Sequence, residues 1–174
     1  MIRTGECVLN LPSVHQAAAV DRLARLTGSD PVPPVKQYMG YAHERHKFTT
    51  AGMTATAAET VNAVRAAECP VQLEAVLVAQ HPVMADMEGM SGFVGAFELR
   101  VTRVHVHADI LMDGFDNRID PDKWRPLIMS FQKFYGLTPQ VHPSRLAEIP
   151  ETLYRSPDVD RAREEFALQA RPAQ

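Results

Sequence analysis

The sequence has few cysteines, few aromatics and no long apolar run, and each shortage removes a class of protein. Cys7 and Cys69 are its only cysteines. They are too few for a disulfide framework and lack zinc-site spacing, so they read as packing residues in a reducing, cytoplasmic compartment. No stretch approaches the ~18 consecutive apolar residues of a membrane helix, and the start Met1-Ile2-Arg3-Thr4-Gly5-Glu6 has no apolar signal core, so neither export nor membrane insertion is expected. Eighteen Lys and Arg against 21 Asp and Glu give a net charge of −3, without the basic run that marks a nucleic-acid surface. Chemical signatures are missing as well. There is no Gly-x-Ser-x-Gly elbow, and neither cysteine has a neighbouring cation to activate it. Gly89, Gly92 and Gly95 lie before and inside an expected strand rather than between a strand and a helix, which excludes a Rossmann or P-loop phosphate site.

What remains is a globular composition, 45% hydrophobic and 22% charged over 174 residues, enough for one core. A buried strand is expected at once, over Cys7-Val8-Leu9-Asn10-Leu11. Pro12 ends it, and Ser13 with Gln16 forms a capping box for a helix that carries Ala17, Val20, Leu23 and Ala24 on one face and stops at Gly28. Pro31, Pro33 and Pro34 make 29–40 a loop. The polar cluster His43-Glu44-Arg45-His46-Lys47 and Phe48 follow, and 49–67 reads as a helix turn plus loop.

Pro70 to Val78 alternates, with Val71, Leu73, Ala75 and Leu77 on one face and Gln72 and Glu74 on the other, the pattern of a strand with one wet side. A loop is expected from Gln80 to Gly92, then a strand from Phe93 to His107. In the latter the apolar parity switches between Val101 and Val104, so a β-bulge is expected near Thr102 and Arg103. Asp113-Gly114 and Asp116-Asn117 signal turns, Asp120-Pro121 opens a short helical turn, and 128–135 is apolar and aromatic. From Ser156 a charged surface helix is expected, with Pro157 at its first position. The whole predicts a mainly β chain with a few packed helices, in which three or four confident strands are too few to close a barrel. Earlier strands are therefore expected from a partner subunit or from a reading frame that starts further upstream.

The histidines invite a metal reading, because His105 and His107 project to one face of a strand as two ligands of a cupin-type site would. A third ligand is not assured by spacing, and His43-Glu44-Arg45-His46 misses the His-Glu-x-x-His pattern. No metal site is therefore assigned, half-exposed strand histidines being the plain reading.

Several segments together resemble one family. These are Thr4-Gly5-Glu6-Cys7-Val8-Leu9-Asn10-Leu11-Pro12, Lys47-Phe48-Thr49 through Gly52, Glu68-Cys69-Pro70-Val71-Gln72-Leu73-Glu74, Val104-His105-Val106-His107, the 116–120 turn and Arg125-Pro126-Leu127. In this order and spacing the chain, from Ile2 to Leu137, resembles the flavin reductase-like, FMN-binding split-barrel family. The resemblance implies a split β-barrel, N-terminally incomplete here, with 1–150 as the partial domain and 151–174 as a charged tail. It places the Thr4 to Pro12 motif near the middle of the family's domain, after the loop that supplies most contacts to the FMN phosphate.

It further implies a homodimer with FMN at the subunit interface, NADH or NADPH as co-substrate, and in some members a flavoprotein oxygenase partner. The implied reaction is hydride transfer from nicotinamide to flavin with no catalytic side chain, the protein aligning two rings in a dry cleft. The implied cofactor contacts are Glu6, Asn10 and Leu11 on the first strand and Lys47 and Phe48 on a loop. Plain readings stand beside these: Asn10 as a strand-end cap, Lys47 as a solvated charge, Phe48 as core. The alternative for the whole chain is a truncated, non-catalytic split-barrel subunit or interaction protein that holds no flavin.

Overall fold

The computed structural model describes residues 1–89, 92, 94–154, 156, 157, 160, 161 and 164. It divides into two compact units, Met1–Leu137 and Thr138–Gln174, so the boundary expected at 150 falls inside the second. Element order in the first unit is β1 (Glu6–Leu11), α1 (Ala17–Asp21), β2 (Leu26–Thr27), α2 (Pro34–Tyr38), β3 (Ala42–His43), α3 (Lys47–Ala51), β4 (Ala55–Thr56), β5 (Arg65–Ala66), β6 (Val71–Val83), β7 (Val94–Val106), α4 (Pro121–Trp124), β8 (Ile128–Ser130) and β9 (Lys133–Tyr135). The chain is mainly β with few helices.

The centre is an antiparallel sheet in the order β1-β6-β7. Three cross-strand rows set its faces: Leu9, Leu73 and Val104 lie opposite one another, as do Asn10, Gln72 and His105, and Val8, Glu74 and Arg103. The register shifts where Glu74 faces Arg103 and Ala75 faces Val101. Thr102 is therefore bulged out, and the apolar parity of β7 changes where the sequence places the change.

The face expected to be wet is buried. Glu74 is 0% and Gln72 2% exposed, and the segment from Ala57 to Ala66 supplies most of their hydrogen bonds, through Glu59, Thr60 and Arg65. Alternation fixes which residues share a face but not which face is covered. On the opposite face Val71 and Ala75 are buried as well, at 3% and 0%, whereas Leu9 is 39% and Val104 52% exposed.

Strand β6 also runs to Val83, beyond the loop expected from Gln80, and Pro82 sits in it opposite Gly95. Strand β1 reaches only as far as Val76, so among the described residues Pro82 lies where β6 has β7 alone beside it. There a residue without an N–H can face the open side.

The capping box forms as expected: the Ser13 N–H donates to Gln16 Oε1 at 2.9 Å and the His15 N–H to Ser13 Oγ at 3.2 Å. It opens a 3-10 turn that runs into α1. That helix ends at Asp21, not at Gly28, and the chain then makes turns and pairs β2 in parallel with β3. The proline-rich stretch is not all loop, since Pro34 occupies the first position of α2, where its missing N–H costs nothing. The 49–67 stretch holds the short β4–β5 ladder. Asp120 caps α4 as expected, accepting from the Asp122 N–H at 2.9 Å. Strands β8 and β9 form a hairpin turned by Phe131 and Gln132, both at positive φ. Beyond that hairpin Gly136 is packed so closely that a Cβ would stand 2.8 Å from Val14 Cγ1.

In the second unit, Ser144 caps the 3-10 turn Arg145–Glu148 and the Tyr154 hydroxyl donates to the Leu146 carbonyl at 3.3 Å. Most of the helix expected from Ser156 lies outside the described residues.

Candidate functional site

One cavity of about 390 Å³ opens where β1, α1, α3 and β5 meet, within the size range of small-molecule sites. Its apolar wall includes Val20 and Leu23, the face that the capping box turns inward, with Phe48, Met53 and Cys69. Asn10 and Lys47 supply its polar groups.

Helix α3 is built from both ends. In front, Glu44 Oε1 accepts from the His46 N–H at 2.6 Å and Oε2 from the Thr50 hydroxyl at 3.0 Å. These bonds, the His46 N–H foremost, hold its carboxyl below the usual carboxylate range. Behind, Arg22 Nε donates to the Thr50 carbonyl at 3.1 Å and Nη2 to that of Ala51, while Gly52 turns the chain at φ 67°. The left-handed turn favours glycine there. Lys47 and Phe48 are thus the first two residues of a braced helix rather than part of a loop. The Lys47 ammonium donates to the Glu44 carbonyl at 2.7 Å.

Asn10 is held equally firmly. Its Oδ1 accepts from the Ala66 N–H at 2.8 Å, and its Nδ2 has no hydrogen-bond partner among the described residues. The strand-end reading and a ligand role coexist, one on each end of the carboxamide.

Of the five residues expected at a cofactor, the structure brings Asn10, Lys47 and Phe48 together around this cavity. Glu6 and Leu11 are not in its lining. The Glu6 carboxylate accepts from the Asn62 N–H at 3.1 Å, and Leu11 lies on the other face of the sheet, opposite Val71.

Cys69 lines the cavity, and burial first, then the charge of Glu68, pushes its thiol up to about 11. It is a neutral wall group at physiological pH. Sequence reasoning missed Met53 and Ala66 because the β4–β5 ladder that carries the wall past them leaves only a two-residue signal on each side.

Next to the cavity, Glu74 anchors a polar cluster. Its Oε1 accepts from the Glu59 N–H at 2.9 Å and from His105 Nε2 at 2.6 Å; its Oε2 accepts from the Thr60 N–H and hydroxyl, each at 2.6 Å. Arg65 Nε stands 3.8 Å away. Burial alone would raise this carboxyl, but the Thr60 hydroxyl, the two backbone N–H groups and His105 outweigh it and bring it down to about 2. His107 is committed elsewhere, with Nε2 at 3.0 Å from the Ala67 carbonyl. Each imidazole thus has a hydrogen-bond partner of its own, and among the described residues no three His, Cys, Asp or Glu side chains converge as ligands.

The comparisons agree with this architecture. The sequence model of the flavin reductase like domain matches residues 1–138. An uncharacterized protein of Bacillus subtilis (strain 168), YdfE, is 33% identical over 139 residues, covering 80% of this chain and 64% of the relative. Among solved structures, nitrilotriacetate monooxygenase component B from Bacillus cereus superposes with a TM-score of 0.57 at 21% identity, over 82% of this chain and 61% of that one. Flavoredoxin of Desulfovibrio vulgaris (Miyazaki F) does so with a TM-score of 0.57 at 20% identity, over 85% and 67%. The fold is that of the split-barrel flavin reductases. The chain spans somewhat under two thirds of the length of the curated relative, and over that span it belongs to the flavin reductase like domain family.

Proposed function

We propose that the chain binds FMN through the cavity at Asn10, Lys47 and Phe48, works as a homodimer, and supports hydride transfer from NADH or NADPH to the flavin. The observation that carries this reading is the meeting of those three side chains around one largely apolar cavity in a flavin reductase-like fold. When bound, the flavin supplies the redox chemistry, accepting a hydride from reduced nicotinamide.

The chain's residues then have positioning tasks. Phe48, Val20 and Leu23 offer apolar surface to a planar ring and exclude water from it. Asn10 Nδ2 is a donor for a ring carbonyl. The Lys47 ammonium is the cation of the cavity wall, suited to negative charge that accumulates on a reduced ring. Glu6 and Leu11 would take part through main-chain groups of β1, an outer strand of its sheet. This set fits the ring better than the phosphate, which carries about two negative charges and needs several aimed donors.

The half-exposed row Leu9, Leu73 and Val104 supports a homodimer, since a contiguous apolar patch on a sheet is a common site for a second subunit. The likeness to a monooxygenase component B supports an oxygenase as recipient of the reduced flavin. No helix of the described residues is long and apolar enough to cross a membrane.

The test is a titration with FMN and with riboflavin, read by quenching of flavin fluorescence, followed by anaerobic mixing with NADH or NADPH. Both flavins are expected to bind, within roughly tenfold of each other, because few donors address the phosphate. Absence of binding by either flavin overturns the reading.

A further inference from the structure

Glu74 is the only buried charged side chain among the described residues, and nothing in the flavin chemistry above uses it. Its hydrogen bonds join two things that would otherwise be separate. From the covering segment come the Glu59 N–H and both donors of Thr60; from the sheet comes His105. Thr102, bulged out of β7, adds its hydroxyl at 2.6 Å from that of Thr60.

Further along the segment, Arg65 is gripped on three sides. Its Nη1 donates to Gln72 Oε1 at 2.7 Å, its Nε donates to the Ala57 carbonyl at 3.0 Å, and that Nε also faces Glu74. Gln72 in turn donates from Nε2 to the Cys69 carbonyl at 2.6 Å. The residue after Arg65 is Ala66, whose N–H holds Asn10 Oδ1.

The chain of contacts therefore runs from a buried anion, through the covering segment, to the carboxamide at the cavity. That last link decides polarity. With Oδ1 held by an N–H, the end of Asn10 left for the cavity is a donor, and rotating the carboxamide would set Nδ2 against the Ala66 N–H.

We infer that Glu74, with Arg65 and His105, is a positioning residue for the ligand of this cavity: by pinning residues 57–66 to the sheet it keeps the Ala66 N–H on Asn10, so that the cavity presents a donor and selects rings with a carbonyl edge. The identity of the ligand rests on the flavin reading; the anchoring of Asn10 does not.

The experiment separates the two. Wild type, Glu74→Gln, Asn10→Ala and the double variant are compared by hydrogen exchange of the Ala66 amide in flavin-free protein and by FMN affinity. Glu74→Gln is expected to speed exchange at Ala66 at least ~10-fold while the β6–β7 amides around Leu77 and Leu99 stay protected. It is expected to weaken FMN binding by about tenfold, as does Asn10→Ala, and the double variant is expected to be within about twofold of Asn10→Ala alone, the non-additivity of two groups acting through one contact.

Wild-type exchange at Ala66 in Glu74→Gln, or losses that multiply to about 100-fold in the double variant, overturns the inference. Should Glu74→Gln not fold, Thr60→Val keeps the charge and removes one donor, and the same faster exchange and non-additivity are required of it. If wild type binds no FMN, the flavin reading falls and the exchange result alone decides the anchoring.

Discussion

The two faces of the β1-β6-β7 sheet follow opposite rules. One carries Asn10, Gln72, His105 and Glu74, and is roofed by residues 57–66 with nearly every polar group paired. The other buries Val71 and Ala75 in apolar contact and leaves its row of Leu9, Leu73 and Val104 half open. Burying polar groups costs little when each finds a partner and several kcal/mol when one does not. The polar face is thus stable as a complete set and intolerant of loss, whereas the apolar face has no directional bonds to lose and gains from any apolar surface laid against it.

The strongest way to break this contrast is to truncate one residue on each face. Glu74→Ala leaves Arg65, His105 and the Glu59 and Thr60 N–H groups facing each other without their acceptor, and urea unfolding is expected to show a loss of about 3–5 kcal/mol. Val104→Ala is expected to cost under about 1 kcal/mol. Equal costs would show that the roofed face is not the special one.

Acid sharpens the same point. The Glu74 carboxyl lies near 2 in the fold, against an ordinary value of 4.5. Its contribution is complete above the unfolded value and disappears as pH falls through the folded one. Stability of about 3 kcal/mol is expected to drain away between about pH 5 and 2. In Glu74→Gln the loss over that window is expected to be smaller by that amount, as read from unfolding midpoints at each pH.

The apolar face answers to a different perturbation. Val104→Asp is expected to raise the dissociation constant of the proposed homodimer at least ~10-fold, about 1.4 kcal/mol, measured by sedimentation. The fold of the separated chain, followed by circular dichroism, is expected to be unchanged. A wild-type chain that sediments as a monomer at every concentration would leave the exposed row to some other role.

Much of the skeleton was legible because it is written in local chemistry. Ser13 and Gln16 specify a capping box within four residues, Asp120-Pro121 a helix start, and the parity change from Val101 to Val104 a bulge. Asn10, Lys47 and Phe48 were singled out through the resemblance alone, and in the structure they line one cavity.

What was not legible depends on distant chain. Glu74 reads as a solvent-facing residue on an alternating strand until the Glu59-Thr60 segment is folded over it. Pro82 reads as the end of a strand until β1 is known to stop at Glu6, opposite Val76. The two-residue ladders at β4 and β5 have no periodicity to detect.

Pro82 has one more effect. Among the described residues no strand flanks β6 along the far half of the β6–β7 ribbon, the kind of surface on which a stray extended chain could add itself and begin a fibre. The register shift near Val78 and the proline four residues on spoil that template, so the ribbon can extend past the sheet without recruiting copies of itself.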